Sequence, residues 1–144
     1  MVSGSGTAAM EMVMANRFCQ SDNVLIPTNG KFGERVAAMG HKYAKWTHLK
    51  KEWGQSFHLE EFDDLLTNGA FSALLFCHNE TSSGITQDAA ALAEIANRHG
   101  VGLILDGITS VGGIPVFPSE WNVEAVVVGA QKCTAGPSGI SAIA

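Results

Sequence analysis

The chain has 144 residues, of which 46% are hydrophobic and 16% are charged, and this length is enough for one domain with a sizeable core. Fourteen acidic residues against nine basic ones give a formal charge of −5 without a basic patch, which argues against nucleic acid as a partner. No apolar run reaches the ~20 residues of a membrane helix and no secretory signal is visible, so we expect a cytoplasmic protein that makes no membrane contact.

Helical and strand patterns alternate along the chain. In chain order they predict a helix over 7–18, a strand over 23–27, a helix over 32–43, a short strand over 46–49, a helix over 59–67, a strand over 72–77, a helix over 87–99, and strands over 101–106, 123–128 and 139–144. Strands that alternate with helices indicate βαβ units and a mostly parallel central sheet. Because the strands are apolar throughout, both faces of the sheet should be covered, which predicts a three-layer αβα fold of the α/β class.

The two ends of the chain predict a piece of a larger protein. Met1 and Val2 are too few residues to supply a strand before the glycine-rich turn that follows them. The last residues lie inside an apolar run without a polar tail.

Ligands of open α/β sheets bind beyond the carboxyl ends of the strands, and this rule selects the stretches 3–7, 28–35, 78–84, 106–113 and 131–132. The first stretch is SGSGT ahead of a helix, where small residues and free N–H groups could hold a phosphate and where Ser5 and Thr7 could add hydroxyl donors. An ordinary helix N-cap explains the same turn equally well.

The glycine-rich turn also fits the dinucleotide-binding pattern G-x-G-x-x-A through Gly4, Gly6 and Ala9. That pattern expects an acidic residue near the end of the second strand, where this chain has the uncharged Thr28 and Asn29. A dinucleotide site is therefore the weaker alternative.

Two charged residues follow buried strands. Asp106 ends VGLILD, where its carboxylate costs energy unless it pairs with a cationic ring nitrogen, a metal or an arginine, or caps the next turn. Lys132 follows VVVGAQ and is the only Lys or Arg after Arg98. Partial burial and a nearby cation would free its amine as a nucleophile, whereas an ordinary surface lysine is the simpler interpretation.

The stretch HNETSSG is rich in hydrogen-bonding side chains and suits either a site or a polar turn before a helix. His78 and Glu80 have no further ligands close in sequence, and Cys19, Cys77 and Cys133 lack metal-ligand spacing, so we expect no metal site and reduced thiols. A phosphate cradle, an acid for a ring nitrogen and an amine for a carbonyl are together the groups that pyridoxal 5'-phosphate requires.

Five motifs follow one another along the chain: SGSGTAAMEM, NGKFGER, HNETSSG, DGITSVGG and GAQKCTAGPSGIS. In this order they resemble class V aminotransferases of fold type I, in particular the alanine–glyoxylate or serine–pyruvate branch. The resemblance spans essentially all 144 residues. It implies that residues 1–144 are an incomplete large, cofactor-binding domain that lacks the N-terminal segment and the C-terminal small domain. It also implies a homodimeric enzyme that moves an amino group from an alanine- or serine-type amino acid to a keto acid such as glyoxylate or pyruvate.

The resemblance implies a role for each residue that matches a cofactor-binding position of the family. The matches are Ser5, Gly6 and Thr7 in the phosphate-binding turn, Gln131 as a further phosphate contact, Phe32 and Ile108 on the two faces of the ring, Thr81 near the phenolic oxygen, Asp106 at the ring nitrogen, and Lys132 as the lysine that forms the Schiff base. Lys132 and Asp106 are the expected catalytic residues.

Two departures bear on the alternatives. Cysteine desulfurases of this fold carry histidines where this chain has Phe32 and Gln131, which favours an aminotransferase over a desulfurase-like class V lyase. The arginine that binds the substrate carboxylate in the family normally lies in the C-terminal domain, and Arg17, Arg35 and Arg98 match no such motif. A non-catalytic, cofactor-binding fragment therefore stays open as a further reading.

Overall fold

The computed structural model describes all 144 residues, from Met1 to Ala144. The helices are α1 (Gly6–Arg17), α2 (Lys31–Gly40), α3 (Leu59–Asn68) and α4 (Ala89–Arg98). The strands are β1 (Val2–Ser3), β2 (Asn23–Thr28), β3 (Lys45–Lys50), β4 (Ala73–Cys77), β5 (Asn79–Glu80), β6 (Ile85–Thr86), β7 (Gly102–Asp106), β8 (Ala125–Gly129) and β9 (Ile140–Ile143). Every predicted helix and strand is present, with small differences at the ends.

Seven strands form the central sheet in the order β1-β9-β8-β7-β4-β2-β3. The neighbours from β8 to β3 pair in parallel, and β9 pairs antiparallel with both β8 and β1. The prediction of a mostly parallel sheet is therefore confirmed. The chain adds β3 on one side of β2 and then crosses to β4 on the other side, so the direction of winding reverses between β2 and β4. Such a reversal opens a crevice at the carboxyl ends of the strands.

The expectation that the first residues form no strand is wrong. Val2 lies opposite Ser141 and Ser3 opposite Ile140 in an antiparallel pair, and the Gly4 N–H donates to the Gly139 carbonyl at 2.8 Å. Two residues suffice because β9 provides the hydrogen-bonding partners at the edge of the sheet.

Helices cover both faces of the sheet, as the apolar strands predict. The buried cluster on one face joins α1 and α2 to Ala73 and Leu75 of β4, and the cluster on the other face joins α3 and α4 to Leu74 and Phe76. Burying a side chain of the size of Leu or Phe contributes about 1.5–3 kcal/mol, so the two clusters are the main stabilising contribution. The same alternation carries Cys77 to the face of α1 and α2.

The helix ends follow local sequence. The Asp88 Oδ1 accepts the Ala91 N–H at 3.0 Å and caps α4, which ends before Gly100 with its positive φ of 66°. In α2, by contrast, Gly30 precedes the helix and has no side chain with which to cap it. None of the four helices has the length and apolar character that a membrane crossing requires.

The cap of α4 gives a first prediction. Asp88→Ala removes the acceptor of the Ala91 N–H and should lower the free energy of unfolding by about 1 kcal/mol. Asp88→Asn retains an acceptor and should lose less. Urea denaturation of the three proteins measures the difference, and an unchanged midpoint in Asp88→Ala would show that this cap contributes nothing.

Candidate active site

A cavity of about 260 Å³ lies beyond the carboxyl ends of the parallel strands, where the winding of the sheet reverses. The expected site residues that line it are Ser5, Gly6, Thr7, Phe32, Asp106, Ile108, Gln131 and Lys132. The cavity is also lined by Met10, Arg35, Val36, Met39, Cys77, Asn79 and Thr109. All five stretches selected from the sequence therefore contribute to a single cavity, which is close in size to the smaller ligand pockets of proteins.

The start of α1 forms one wall of the cavity. The Ser5 Oγ accepts the Ala8 N–H at 3.3 Å, so this turn does cap the helix. The N–H groups of Gly6 and Thr7 have no hydrogen-bond partner within the chain, because the first N–H groups of a helix have none inside it. The turn can therefore both cap the helix and bind a phosphate, because its free N–H groups suit an anion.

Gly6 is needed for close packing at this wall. A Cβ atom at Gly6 would overlap the Ile108 side chain, with its Cγ1 only 2.9 Å away. Ile108 also lies close to Gly129, where a Cβ atom would be 3.1 Å from its Cγ2. Ile108 is therefore held between the start of α1 and the end of β8, and it presents an apolar surface to the cavity.

Asp106 ends β7 and is only 6% exposed. Its Oδ1 accepts the Ile108 N–H at 3.1 Å, whereas its Oδ2 has no hydrogen-bond partner in the chain. Burial is the main cause that raises the pKa of this carboxyl to about 6. The negative charge of Glu80 also raises this pKa, whereas the positive charge of Arg35 lowers it. Asp106 therefore caps its turn through one oxygen and leaves the other for a cationic partner in the cavity.

Lys132 lies in the turn after β8, and its side chain makes no ion pair. The residue is exposed at the open side of the cavity, which agrees with the simpler interpretation of a surface lysine and not with partial burial. Its backbone N–H donates to the Gly129 carbonyl at 3.2 Å, which fixes the turn. Gln131 is exposed beside it. The amine of Lys132 and the carboxylate of Asp106 nevertheless line the same cavity.

Phe32 and Arg35 reach the cavity from the first turns of α2. The Arg35 guanidinium carbon is 5.0 Å from the centre of the Phe32 ring, and no acidic side chain pairs with it. Arg35 matches no role that the family resemblance implies. Its spacing of three residues from Phe32 was the available signal, because such residues share one side of a helix.

Two threonines lie near the expected position of the hydroxyl group. Thr81 is exposed in the turn between β5 and β6 and does not line the cavity, so its role beside the ring stays a prediction. Thr109 does line the cavity, where its Oγ1 donates to the Asn79 carbonyl at 2.8 Å and accepts from the Asn79 Nδ2 at 3.2 Å.

Cys77 lies opposite Asp106 in the sheet, and burial raises the pKa of its thiol, which disfavours the nucleophilic thiolate.

The topology contradicts the dinucleotide alternative. In that motif the glycine-rich turn joins a strand to a helix within a βαβ unit of neighbouring parallel strands. Here β1 and β2 are separated by β9, β8, β7 and β4, and β1 is antiparallel to its only neighbour. The turn at Gly4 and Gly6 therefore serves a different kind of site.

Comparisons with protein-family models and with curated proteins point to the same family. The family model described as Aminotransferase class-V matches residues 1–144. The chain is 32% identical over 143 residues to alanine–glyoxylate aminotransferase of Rattus norvegicus, a match that covers 99% of this chain and 34% of the rat protein.

Solved structures agree with the sequence match. Ureidoglycine–glyoxylate aminotransferase of Bacillus subtilis superposes with a TM-score of 0.94 at 31% identity, and alanine–glyoxylate aminotransferase of Nostoc sp. with 0.93 at 37% identity. Each match covers 99% of this chain, and 37% and 38% of those two chains respectively. This chain thus spans little more than a third of the length of its relatives.

The buried carboxyl of Asp106 predicts a stability that depends on pH. Its pKa is raised from 3.8 to about 6 on folding, so the folded protein holds this proton more tightly than the unfolded chain. The resulting stabilisation is complete below pH 4 and is lost as the pH rises through 6. Without added ligand, Asp106→Asn should therefore be more stable than the parent above pH 6, by up to roughly 3 kcal/mol, and should not differ below pH 4.

Urea denaturation at several pH values measures this difference. Asp63→Asn is the control, because Arg98 and His99 hold the pKa of Asp63 below its usual value, and its replacement should destabilise the protein at neutral pH. A constant difference between Asp106→Asn and the parent from pH 4 to pH 8 would contradict the prediction.

Proposed function

This chain belongs to the class V aminotransferase family, and from that premise we propose that it forms the cofactor-binding part of a pyridoxal 5'-phosphate-dependent aminotransferase. The observation that carries the proposal is the single cavity shared by the start of α1, the free oxygen of Asp106 and the amine of Lys132. These groups are an anion-binding helix end, a carboxylate that needs a cation, and a primary amine. They match the phosphate, the ring nitrogen and the aldehyde of one small molecule.

The chain's own residues would hold the cofactor in a defined way. The free N–H groups of Gly6 and Thr7 would bind its phosphate, with the Thr7 hydroxyl and Gln131 as further donors. Phe32 and Ile108 would contact the two faces of its ring. When bound, pyridoxal phosphate supplies an aldehyde that condenses with amines and a pyridinium ring that accepts electrons.

Lys132 and Asp106 would perform the chemistry that the protein contributes. The Lys132 amine would hold the cofactor through its aldehyde, and as a free amine it would act as the base toward the proton on the substrate α-carbon. Asp106 would keep the proton on the ring nitrogen. Its burial favours this role, because a cation beside its free oxygen offsets the cost of the buried carboxylate and lowers its pKa.

The substrates follow from the relatives' names. Alanine–glyoxylate and ureidoglycine–glyoxylate aminotransferases share glyoxylate, so we propose a small amino acid such as alanine or serine as donor and a keto acid such as glyoxylate or pyruvate as acceptor. Because the chain spans about a third of the relatives' length, the substrate-carboxylate arginine, the small domain and a second subunit of a homodimer would complete the active site.

The amine of Lys132 can be tested directly. Pyridoxal phosphate added to the parent chain should produce an absorption band near the edge of the visible range, and Lys132→Ala should lose it. Borohydride reduction should fix the cofactor to the peptide that contains Lys132, as detected by mass spectrometry. Lys45→Ala is the control, because Lys45 is exposed at the far edge of the sheet. A parent chain without the band, or a band that persists in Lys132→Ala, would refute the proposed function.

Asp106 gives a second test of the site. Asp106→Ala should raise the dissociation constant of pyridoxal phosphate by roughly tenfold or more, because the ring nitrogen loses its charged partner. In the full-length enzyme, the same substitution should nearly abolish transamination between alanine and glyoxylate. Spectrophotometric titration measures the first effect and keto-acid release the second. Full affinity and turnover in Asp106→Ala would remove this residue from the site.

A further inference from the structure

Helix α2 carries Phe32 and Arg35 to the cavity, but the residue before it cannot cap it, because Gly30 has no side chain. The missing cap comes from another part of the chain. The Glu80 Oε2, on β5, accepts the N–H of Phe32 at 3.0 Å and the N–H of Gly33 at 2.9 Å. The residues in contact are 47 and 48 positions apart in sequence.

Ser82 completes this contact. Its Oγ accepts the N–H of Lys31 at 2.8 Å and donates to the Glu80 Oε1 at 2.6 Å, and its N–H donates to the same oxygen at 3.2 Å. The first three N–H groups of α2 are therefore all satisfied by the β5–β6 hairpin. Both oxygens of the Glu80 carboxylate act only as acceptors, which suits its negative charge.

Because the Glu80 carboxylate is buried, it needs these hydrogen-bond donors. Glu80 is 1% exposed, and a carboxylate removed from water to that extent is tolerated only where donors surround it. Charge-assisted hydrogen bonds at a helix N-terminus, aligned with the helix dipole, provide such an environment. Any movement of the first turn of α2 away from the hairpin would leave the Oε2 of this buried carboxylate without its two donors.

The contact between Glu80 and α2 also requires that position 30 has no side chain. Gly30 has an extended backbone that any residue adopts, but a Cβ atom there would overlap the Cγ and Cδ atoms of Glu80 and lie 2.7 Å from the Ser82 Oγ. The motifs NGKFGER and HNETSSG, which lie far apart in sequence, are therefore joined at one point.

We propose that Glu80 is a positioning residue of the active site: its carboxylate fixes the first turn of α2 and thereby holds Phe32 against the ring of the cofactor. The inference rests on the proposed function for the identity of that ring. The contact between Glu80 and α2 is a property of the protein alone. The two parts can therefore be tested separately.

The contact is tested first, by amide hydrogen exchange measured by NMR without added ligand. Glu80→Ala should accelerate exchange of the Phe32 and Gly33 amides by about tenfold or more, since each loses a charge-assisted bond. Asp88→Ala is the matched control, because it removes a cap from α4, which does not line the cavity. It should accelerate exchange at Ala91 and leave α2 unchanged.

Gly30→Ala provides a second variant that keeps Glu80 in the sequence but displaces its carboxylate. It should accelerate exchange at Phe32 and Gly33 as Glu80→Ala does, and Glu80→Gln, which keeps the shape and one acceptor, should have a smaller effect. If Glu80→Ala does not fold, Gly30→Ala and Glu80→Gln decide the question. Unchanged protection of the two amides in the folded variants would overturn the proposal.

Positioning is tested next, with pyridoxal phosphate as the probe. Glu80→Gln should weaken binding severalfold and alter the circular dichroism of the cofactor band, which reports how the ring is held, and Asp88→Ala should do neither. Equal effects of both variants would reduce Glu80 to a structural role and overturn the proposal. A parent chain that binds no pyridoxal phosphate would refute the proposed function, and the amide exchange would still decide whether Glu80 holds α2.

Discussion

The buried carboxylate of Asp106 is the constraint on which the site depends. It ends a strand whose other residues pack in the core, one of its oxygens lacks a partner, and burial raises its pKa to about 6. The negative charge of Glu80 increases the cost of the Asp106 charge further. Arg35 opposes this effect from α2. A cation seated at the free oxygen would relieve the remaining cost, so ligand binding and the electrostatics of the folded chain favour the same arrangement.

The winding of the sheet explains why residues from five stretches meet there. The reversal between β2 and β4 separates the loops that follow these strands and leaves a crevice between them. The alternation of side chains along β4 and β7 then directs Cys77 and Asp106 to the face covered by α1 and α2. The first turns of both helices therefore lie beside the same carboxylate, one with free N–H groups and the other with Phe32.

The parts of the site that lie at strand ends could be predicted from the sequence. Apolar runs define where strands stop, so Asp106 and the turn at Gln131 and Lys132 could be assigned to one edge of the sheet. The contact of Glu80 with α2 could not be found in this way, because it joins distant residues through the three-dimensional arrangement of a hairpin and a helix. The strand at Val2 likewise depends on β9 lying alongside it, and a linear pattern does not record that.

Two buried groups on opposite faces of the sheet respond to pH in opposite directions. On the face of α3 and α4, His78 is 3% exposed, packs edge-on against Trp121, and lies 3.0 Å from the Ser110 Oγ through its Nδ1. Burial lowers the pKa of His78, so the folded protein holds this proton less tightly than the unfolded chain and loses stability as the pH falls below about 6.5.

Asp106, on the other face, gains stability as the pH falls through the same region. The two trends partly cancel in the parent protein, so a flat pH profile there does not mean that either group is unperturbed. Only the difference between the parent and a variant that lacks one of the groups separates them, because the contribution of the other is common to both proteins.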